Sequence, residues 1–550
     1  MLYWCIFYST LYLNPHKEEK RMKKLLGILL IAVMVFAIAA VANADGAKVL
    51  RFGQMDAKVG YDPQTNTNSG ATTTEDCVVE PLFYWNDQNV EIPLLCEDFP
   101  TISEDGLTYT FKLREGVKFS DGSDLTTDDV KFTFERMFKP ETHATSTSMY
   151  NMIQGAAEML AGEATELSGF ETVDDYTFKF TLTQPFSCFT KNLGIIYSAI
   201  YPREACEAAG SDWGVSTLIG TGPYTLESIT NEQITLLKNP NYWGGDPHFD
   251  EIDIMFFDNN NTKLMAFENG DIDLCDVTAA LYLQYVGTDI EDKFHMYYPL
   301  GTIFLATNNS ETFKGEPNPL SDARVREAIS LAINREDIVE FVETGRGVPA
   351  TGMINHYQLG YIAREPYAYD PEAAKALLAE AGYPDGCTIT ATIRSQDQPD
   401  MIQIQSDLAQ VGITMNINIV DAAVWTSERA AGNVQCLWMG WYPLYADADN
   451  NIYSFFYSTY AAGKSVFYNN PEFDALMDEA RISVDDAERQ KLYEQADEIL
   501  SRVDYGSVPL YYPYRVFAAQ DYVTNFTVGN LIYHVAYDVD FDMDIYNAQK

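Results

Sequence analysis

Two hydrophobic periods alternate along this chain from end to end, with no flexible linker between them. Residues 107–113, LTYTFKL, and residues 176–182, YTFKFTL, put an apolar side chain at every second position, the period of a strand with one buried face. Other stretches carry the helical period. Ser321 or Asp322 can cap a segment whose Val325, Ala328, Ile329 and Ala332 follow the i, i+3, i+4, i+7 spacing of a buried stripe. Asp370 and Pro371 open a second helix, with Ala374, Leu377, Leu378 and Ala381 inside and Gly382 placed to end it. Leu492, Ala496, Ile499 and Leu500 mark a third. The fold is therefore predicted to be mixed α/β. A chain of 550 residues exceeds what one core organises, so it should divide into lobes. Without Pro- or Gly-rich linkers, repeats or low-complexity tracts, those lobes should be joined by ordered strands.

The first residues set the compartment. Lys23 and Lys24 flank an uninterrupted apolar run from Leu25 to Ala42, and Ala42-Asn43-Ala44 supplies small residues where a signal peptidase reads. Residues 22–44 are read as a cleaved secretory signal, with Met22 as the natural start and residues 1–21 as upstream sequence. A retained membrane anchor is the rival, since spans begin at about 18 apolar residues. No cysteine follows the run at the cleavage point, so lipid attachment is not supported and a freely diffusing periplasmic protein is expected.

The formal net charge is −44, and the leader carries more basic than acidic residues, so its removal deepens the imbalance. Nucleic acid and anionic membrane surfaces would be repelled, and no nucleic-acid partner is expected. The charges are dispersed and the hydrophobic content is 47%, which marks a globular chain and not an acidic disordered tail. Of eight cysteines, Cys5 lies in the upstream segment; the other seven are irregularly spaced, without a CxxC metal site or a staple framework.

An enzyme finds little support. The histidines His16, His143, His248, His295, His356 and His534 show no HExxH spacing, and no serine sits in a GxSxG elbow. Asp447-Ala-Asp449-Asn-Asn451 hints at a calcium loop but lacks its glycine and closing glutamate, so a polar cleft loop is the sounder reading. No cofactor or metal is expected.

Residues 105–137, DGLTYTFKLREGVKFSDGSDLTTDDVKFTFERM, carry a specific resemblance. They are followed by GTGPY from Gly220, NPNYWGG from Asn239, MAFENGDIDL from Met265, ARVREAISLAINRE from Ala323 and YDPEAAKALLAEAGYPDG from Tyr369. After these come LAQVGI from Leu408, MGWY from Met439, NPEFDALMDEA from Asn470, RQKLYEQADEIL from Arg489 and VPLYYPY from Val508. In type and order these segments resemble the family 5 extracellular solute-binding proteins, which include dipeptide, oligopeptide and nickel binders.

The resemblance implies a two-lobed periplasmic-binding-protein fold of type II with an accessory domain inserted in the first lobe. The first lobe is expected at 45–83, 214–305 and 512–550, the accessory domain at 84–213 and the second lobe at 306–511. It implies a monomeric subunit of an ABC importer that closes on a peptide or peptide-like solute and presents it to permease and ATPase partners. A nickel chelate or an oligosaccharide as solute, or a role in chemoreception, are the alternatives.

Within that frame, Gly440, Trp441 and Tyr442 fall where a strand end of the second lobe enters the site. Gly440 would permit close backbone approach and Trp441 would form a flat wall. In the first lobe the segment from Gln54 through Asp56 to Val59, and Thr221 within Gly220-Thr221-Gly222, are candidate contacts; either is otherwise a plain turn. Arg394 lies where dipeptide binders carry an arginine for the ligand carboxylate, with a solvated loop arginine as the alternative. His356 is a loop histidine that could meet a nickel chelate, and Asn308 matches a family asparagine of structural kind. One departure stands out: dipeptide binders place an amine-binding aspartate three residues after the tryptophan, where this chain has Leu444. Either the solute lacks a free amino group there, or Asp447 or Asp449 reaches in instead.

Overall fold

The computed structural model describes residues 47–55, 60–66, 69–86, 88–526 and 537–549. The leader, its cleavage point and Asp56 lie outside the described residues.

Two large sheets carry the architecture. In the first, Val49–Met55 is central and runs parallel to Glu251–Phe257 on one side and Leu274–Val277 on the other. Leu50 and Phe52 are fully buried, as an inner strand requires. Beyond these neighbours lie Gln233–Lys238 and Tyr224–Ile229 on one flank, and Arg515–Ala519 and Phe294–Tyr297 on the other, giving seven strands.

The second sheet has six strands. Thr302–Thr307 is buried at every position and pairs antiparallel with Cys436–Trp441 and Ser507–Pro513. Gly347–Pro349 closes one edge, and Cys387–Ile393 and Ile413–Ile419 complete the other. These last two run parallel to each other, Ile393 beside Ile419, and Cys387–Ile393 also runs parallel to Cys436–Trp441 through Ala391 and Cys436. Helices cover this sheet with the caps expected from sequence: the Asp322 side chain accepts from the Arg324 N–H, and that of Asp370 from the Ala373 N–H. Gly382 follows the second of these helices at φ +93°, a left-handed conformation that suits glycine at a helix end. Ala374 and Leu378 are buried on its inner face, while Leu377 and Ala381 are only half-buried.

A four-stranded antiparallel sheet, in the order Thr101–Ile102, Thr108–Lys112, Thr177–Thr181 and Phe170–Thr172, forms the third unit. Its alternating residues meet as stacked rings, Phe111 on Phe178 at 5.1 Å and Phe170 on Phe178 at 5.5 Å. The helix Thr127–Phe138 lies over it, edge-on through Phe134 and Phe180. This unit is fixed to the first sheet's surroundings by buried polar bonds. Arg136 Nη2 is 2.6 Å from Asp62 Oδ2, Tyr201 donates to Asp62 Oδ1 at 2.9 Å, and Gln64 Nε2 donates to the Thr133 carbonyl at 2.8 Å.

The chain passes between the two large sheets twice, over residues 298–301 and at Tyr514. The crossings touch: the rings of Tyr298 and Tyr514 meet edge-on at 4.2 Å. All seven cysteines among the described residues are free thiols, and no described helix is long and apolar enough to cross a membrane.

Candidate functional site

The strand Cys436–Trp441 delivers Gly440, Trp441 and Tyr442 to the crossings. A Cβ at Gly440 would lie 2.9 Å from Ile303 Cδ1, so any larger residue would push the end of that side chain aside. Trp441 is half-buried; its indole N–H donates to the Asn450 carbonyl at 2.8 Å and its ring meets Phe455 at 5.5 Å. Tyr442 leans on Gly301 in the first crossing, and the Arg515 guanidinium, just after the second, sits 4.5 Å from its ring. Tyr442 thus joins the second lobe's sheet end to the first crossing and to the residue just after the second. Close by, the His356 ring meets that of Tyr357 at a tilt, centroids 4.0 Å apart, and approaches Tyr512 and Tyr361, and burial lowers its affinity for a proton.

The two acids read from sequence as cleft groups are placed differently. Asp447 is fully buried, and its carboxylate is held by Lys191 of the accessory unit and by Arg489 Nη2 at 2.7 and 2.9 Å. Burial alone would raise its pKa, but the two cations outweigh that and hold it at about 2. Asp449 is also buried, with Oδ1 3.2 Å from Arg481 Nε; burial raises its pKa despite that cation. Leu444 packs against the accessory core, and Tyr445 lies inside that core, stacked on Trp85 at 5.8 Å. Ser187 N–H donates to the Arg481 carbonyl at 2.7 Å, and Cys188 Sγ is 3.0 Å from Arg489 Nη2. The loop after Trp441, together with Arg481 and Arg489 from the helices Pro471–Ile482 and Asp486–Glu498, therefore meets the accessory unit.

Arg394 follows the strand Cys387–Ile393 but is committed locally. Its Nε and Nη2 donate to the Asp397 carboxylate at 2.9 Å each, and its guanidinium stacks on Trp425 at 4.7 Å. Gln54 is buried at the end of Val49–Met55 and donates to the Gly70 carbonyl at 2.5 Å. Thr221 is fully buried and donates to Glu80 Oε2 at 2.7 Å. Its flanking glycines press on backbone: a Cβ at Gly220 would lie 2.2 Å from the Val78 carbonyl oxygen, so this loop is packed and its amides do not face open space. Asn308 is buried and holds the neighbouring strand through Gln435 and Val434, a structural role.

Sequence reasoning missed Lys191, Arg489 and Glu80. Arg489 stands on the same helical face as Leu492, Tyr493 and Ala496, and a cation on an apolar stripe was the available signal. Glu80 gathers four donors, from Thr221, Trp243, Tyr242 and Tyr537, and burial pushes its carboxyl up to about 7. Neither Lys191 nor Glu80 has a local pattern that would mark it.

Among known proteins, the model for "Bacterial extracellular solute-binding proteins, family 5 Middle" matches residues 91–463. The glutathione-binding protein GsiB of Salmonella typhi is 29% identical over 440 residues, covering 75% of this chain and 79% of the relative. Among solved structures, DppA from Helicobacter pylori, an ABC transporter-associated periplasmic binding protein in complex with the peptide STSA, aligns with a TM-score of 0.75 at 25% identity, covering 90% of this chain and 98% of that one. AgaA from A. tumefacien R10, in complex with agropinic acid, aligns with a TM-score of 0.73 at 26% identity, covering 90% and 99%. Together with the two hinged sheets and the added antiparallel unit, these matches mean that the chain belongs to the bacterial extracellular solute-binding proteins of family 5.

Proposed function

We propose that this protein is the periplasmic solute-binding subunit of an ABC importer, that it works as a monomer exported by the leader 22–44, and that its solute is a peptide or peptide-like compound enclosed between the lobes. The carrying observation is the double crossing at 298–301 and 514, with Tyr442 braced on both strands beside the sheet end that bears Trp441. A ligand touching both lobes favours the closed form by its differential affinity, and closure is what a permease can recognise. The accessory unit moves with the first lobe in this reading, because Asp62, Gln64, Arg136 and Tyr201 bind them together. The relatives' ligands, glutathione, the peptide STSA and agropinic acid, support a small peptide-like solute.

Asp447 and Asp449, the two acids that follow Leu444, are both turned to protein cations. The solute is accordingly held without an amine anchor at this point. Calorimetry on the stripped protein with a tripeptide and its N-acetylated form tests this. A charged hydrogen bond is worth roughly 1.5–3 kcal/mol, so the two forms should bind within about 1 kcal/mol of each other. A strong preference for the free amine would refute the reading.

A further inference from the structure

We infer that Glu91 makes the contact between the accessory unit and the second lobe proton-dependent: the lobes close with its carboxyl protonated and part more readily once it is ionised. The inference rests on the closure proposed above and adds to it a control that the solute does not exert.

The position comes first. Glu91 stands on the hairpin of Phe83–Trp85 and Glu91–Pro93, where it is the cross-strand partner of Trp85. Directly opposed residues of an antiparallel pair share one face. Trp85 shows which face that is: its ring stacks on Tyr445 of the second lobe at 5.8 Å, and its indole N–H donates to the Lys191 carbonyl at 3.3 Å. Glu91 is thereby turned toward the second lobe.

The charges at this contact do not balance. The accessory unit brings Glu91 and, from the helix Phe189–Asn192, Lys191, with the Cys188 thiol just before it. The second lobe brings Asp447 and Asp449 from the loop after Trp441, Arg481 from Pro471–Ile482, and Asp486 and Arg489 from Asp486–Glu498. Burial pushes the Cys188 thiol up to about 12, so it is neutral. Asp447 is paired with Lys191 and Arg489, Asp486 lies 2.8 Å from Arg489 Nη1, and Asp449 lies 3.2 Å from Arg481 Nε. Glu91 is the acid left over. Its Oε1 is buried without a hydrogen-bond partner, and the carboxyl is bonded only to the Thr190 hydroxyl. Burial pushes its pKa up to about 7; Lys191 and Thr190 pull it down, and Asp447 and Asp486 push it further up. Asp447 and Asp486 belong to the second lobe, and so does the Tyr445 ring that covers this face, so the shift is a product of closure.

The direction follows by linkage. When the second lobe withdraws, water reaches the carboxyl and its pKa returns to an ordinary value of about 4.3. Closure therefore takes up a proton. The closed form has its full advantage below about pH 4 and loses it as pH rises through about 7.

The test is calorimetry on the stripped protein with N-acetyl-trialanine, a probe with no group of its own titrating between pH 6 and pH 8. The native protein should bind it about tenfold more weakly at pH 8 than at pH 6. Glu91→Gln, which imitates the protonated carboxyl, should bind at both pH values as the native protein does at pH 6. At pH 7, titrations in phosphate and in Tris, whose ionisation heats differ, should show the native protein taking up about half a proton more than the variant. Equal native affinity at the two pH values would overturn the inference and leave the peptide reading standing, and so would a pH dependence as large in Glu91→Gln as in the native protein. Failure of the probe to bind at either pH would refute the peptide reading, and X-ray scattering of the stripped protein then decides the inference. A native radius of gyration larger at pH 8 than at pH 6, with Glu91→Gln alike at both, would support it; a native radius unchanged over that range would overturn it.

Discussion

Asp447 shows how much a single side chain can be asked to do when it is buried between units. It has two cationic partners, Lys191 from the accessory unit and Arg489 from its own lobe, and no solvent. Its folded pKa of about 2 lies below the unfolded value near 3.9, so the stabilisation is complete above pH 4 to 5 and is lost as pH falls toward 2. On the order of 2 kcal/mol is at stake. Thermal melts between pH 5 and pH 3 should therefore fall more steeply for the native protein than for Asp447→Asn. Lys191→Met should weaken solute binding by about tenfold, from roughly 1.5 kcal/mol of lost charged contact across the lobes. Combined with Asp447→Asn it should cost less than the sum of the two, because each removes the other's partner. Glu80 behaves in the opposite sense. Its folded pKa, raised to about 7 by burial, exceeds the unfolded value near 4.3, so its contribution is fully present below pH 4 and declines as pH rises through 7. Glu80→Gln should melt like the native protein at pH 4 and above it at pH 8.

At the scale of elements, local chemistry could be read directly where it decides the outcome. The period-two runs became Thr108–Lys112 and Thr177–Thr181, and Asp322 and Asp370 cap their helices. Side-chain destinations could not be read that way. Lys191 meets Asp447 across 256 positions and Tyr537 meets Glu80 across 457, separations over which no periodicity speaks. The glycine pair around Thr221 illustrates the same limit. Its spacing suggests a loop open to a ligand, whereas the loop is pressed onto the carbonyls of Cys77 and Val78, with Gly222 N–H donating to Val78 at 3.0 Å. Gly220→Ala would force backbone against backbone, so a loss of at least about 2 kcal/mol is expected in denaturant unfolding. Retention of full stability would show that the loop has room.

On the scale of the whole molecule, two sheets are joined by two short crossings, with a third unit fixed to one of them, and the proposed closure bends the body at those crossings. The contact of Ser187, Cys188 and Lys191 with the second lobe lies on the accessory unit and not at the crossings, so the proposed closure would make it and opening would break it. In the proposed function, closure couples the enclosed solute to the braced Tyr442 and to the ion pair at Asp447. Small-angle X-ray scattering on the stripped protein, before and after saturation with a tripeptide shown to bind by calorimetry, tests this coupling most directly. The radius of gyration should fall on saturation, and Lys191→Met should reach the same closed value only at higher peptide concentration. A scattering curve unchanged at saturation would contradict hinge closure on a solute.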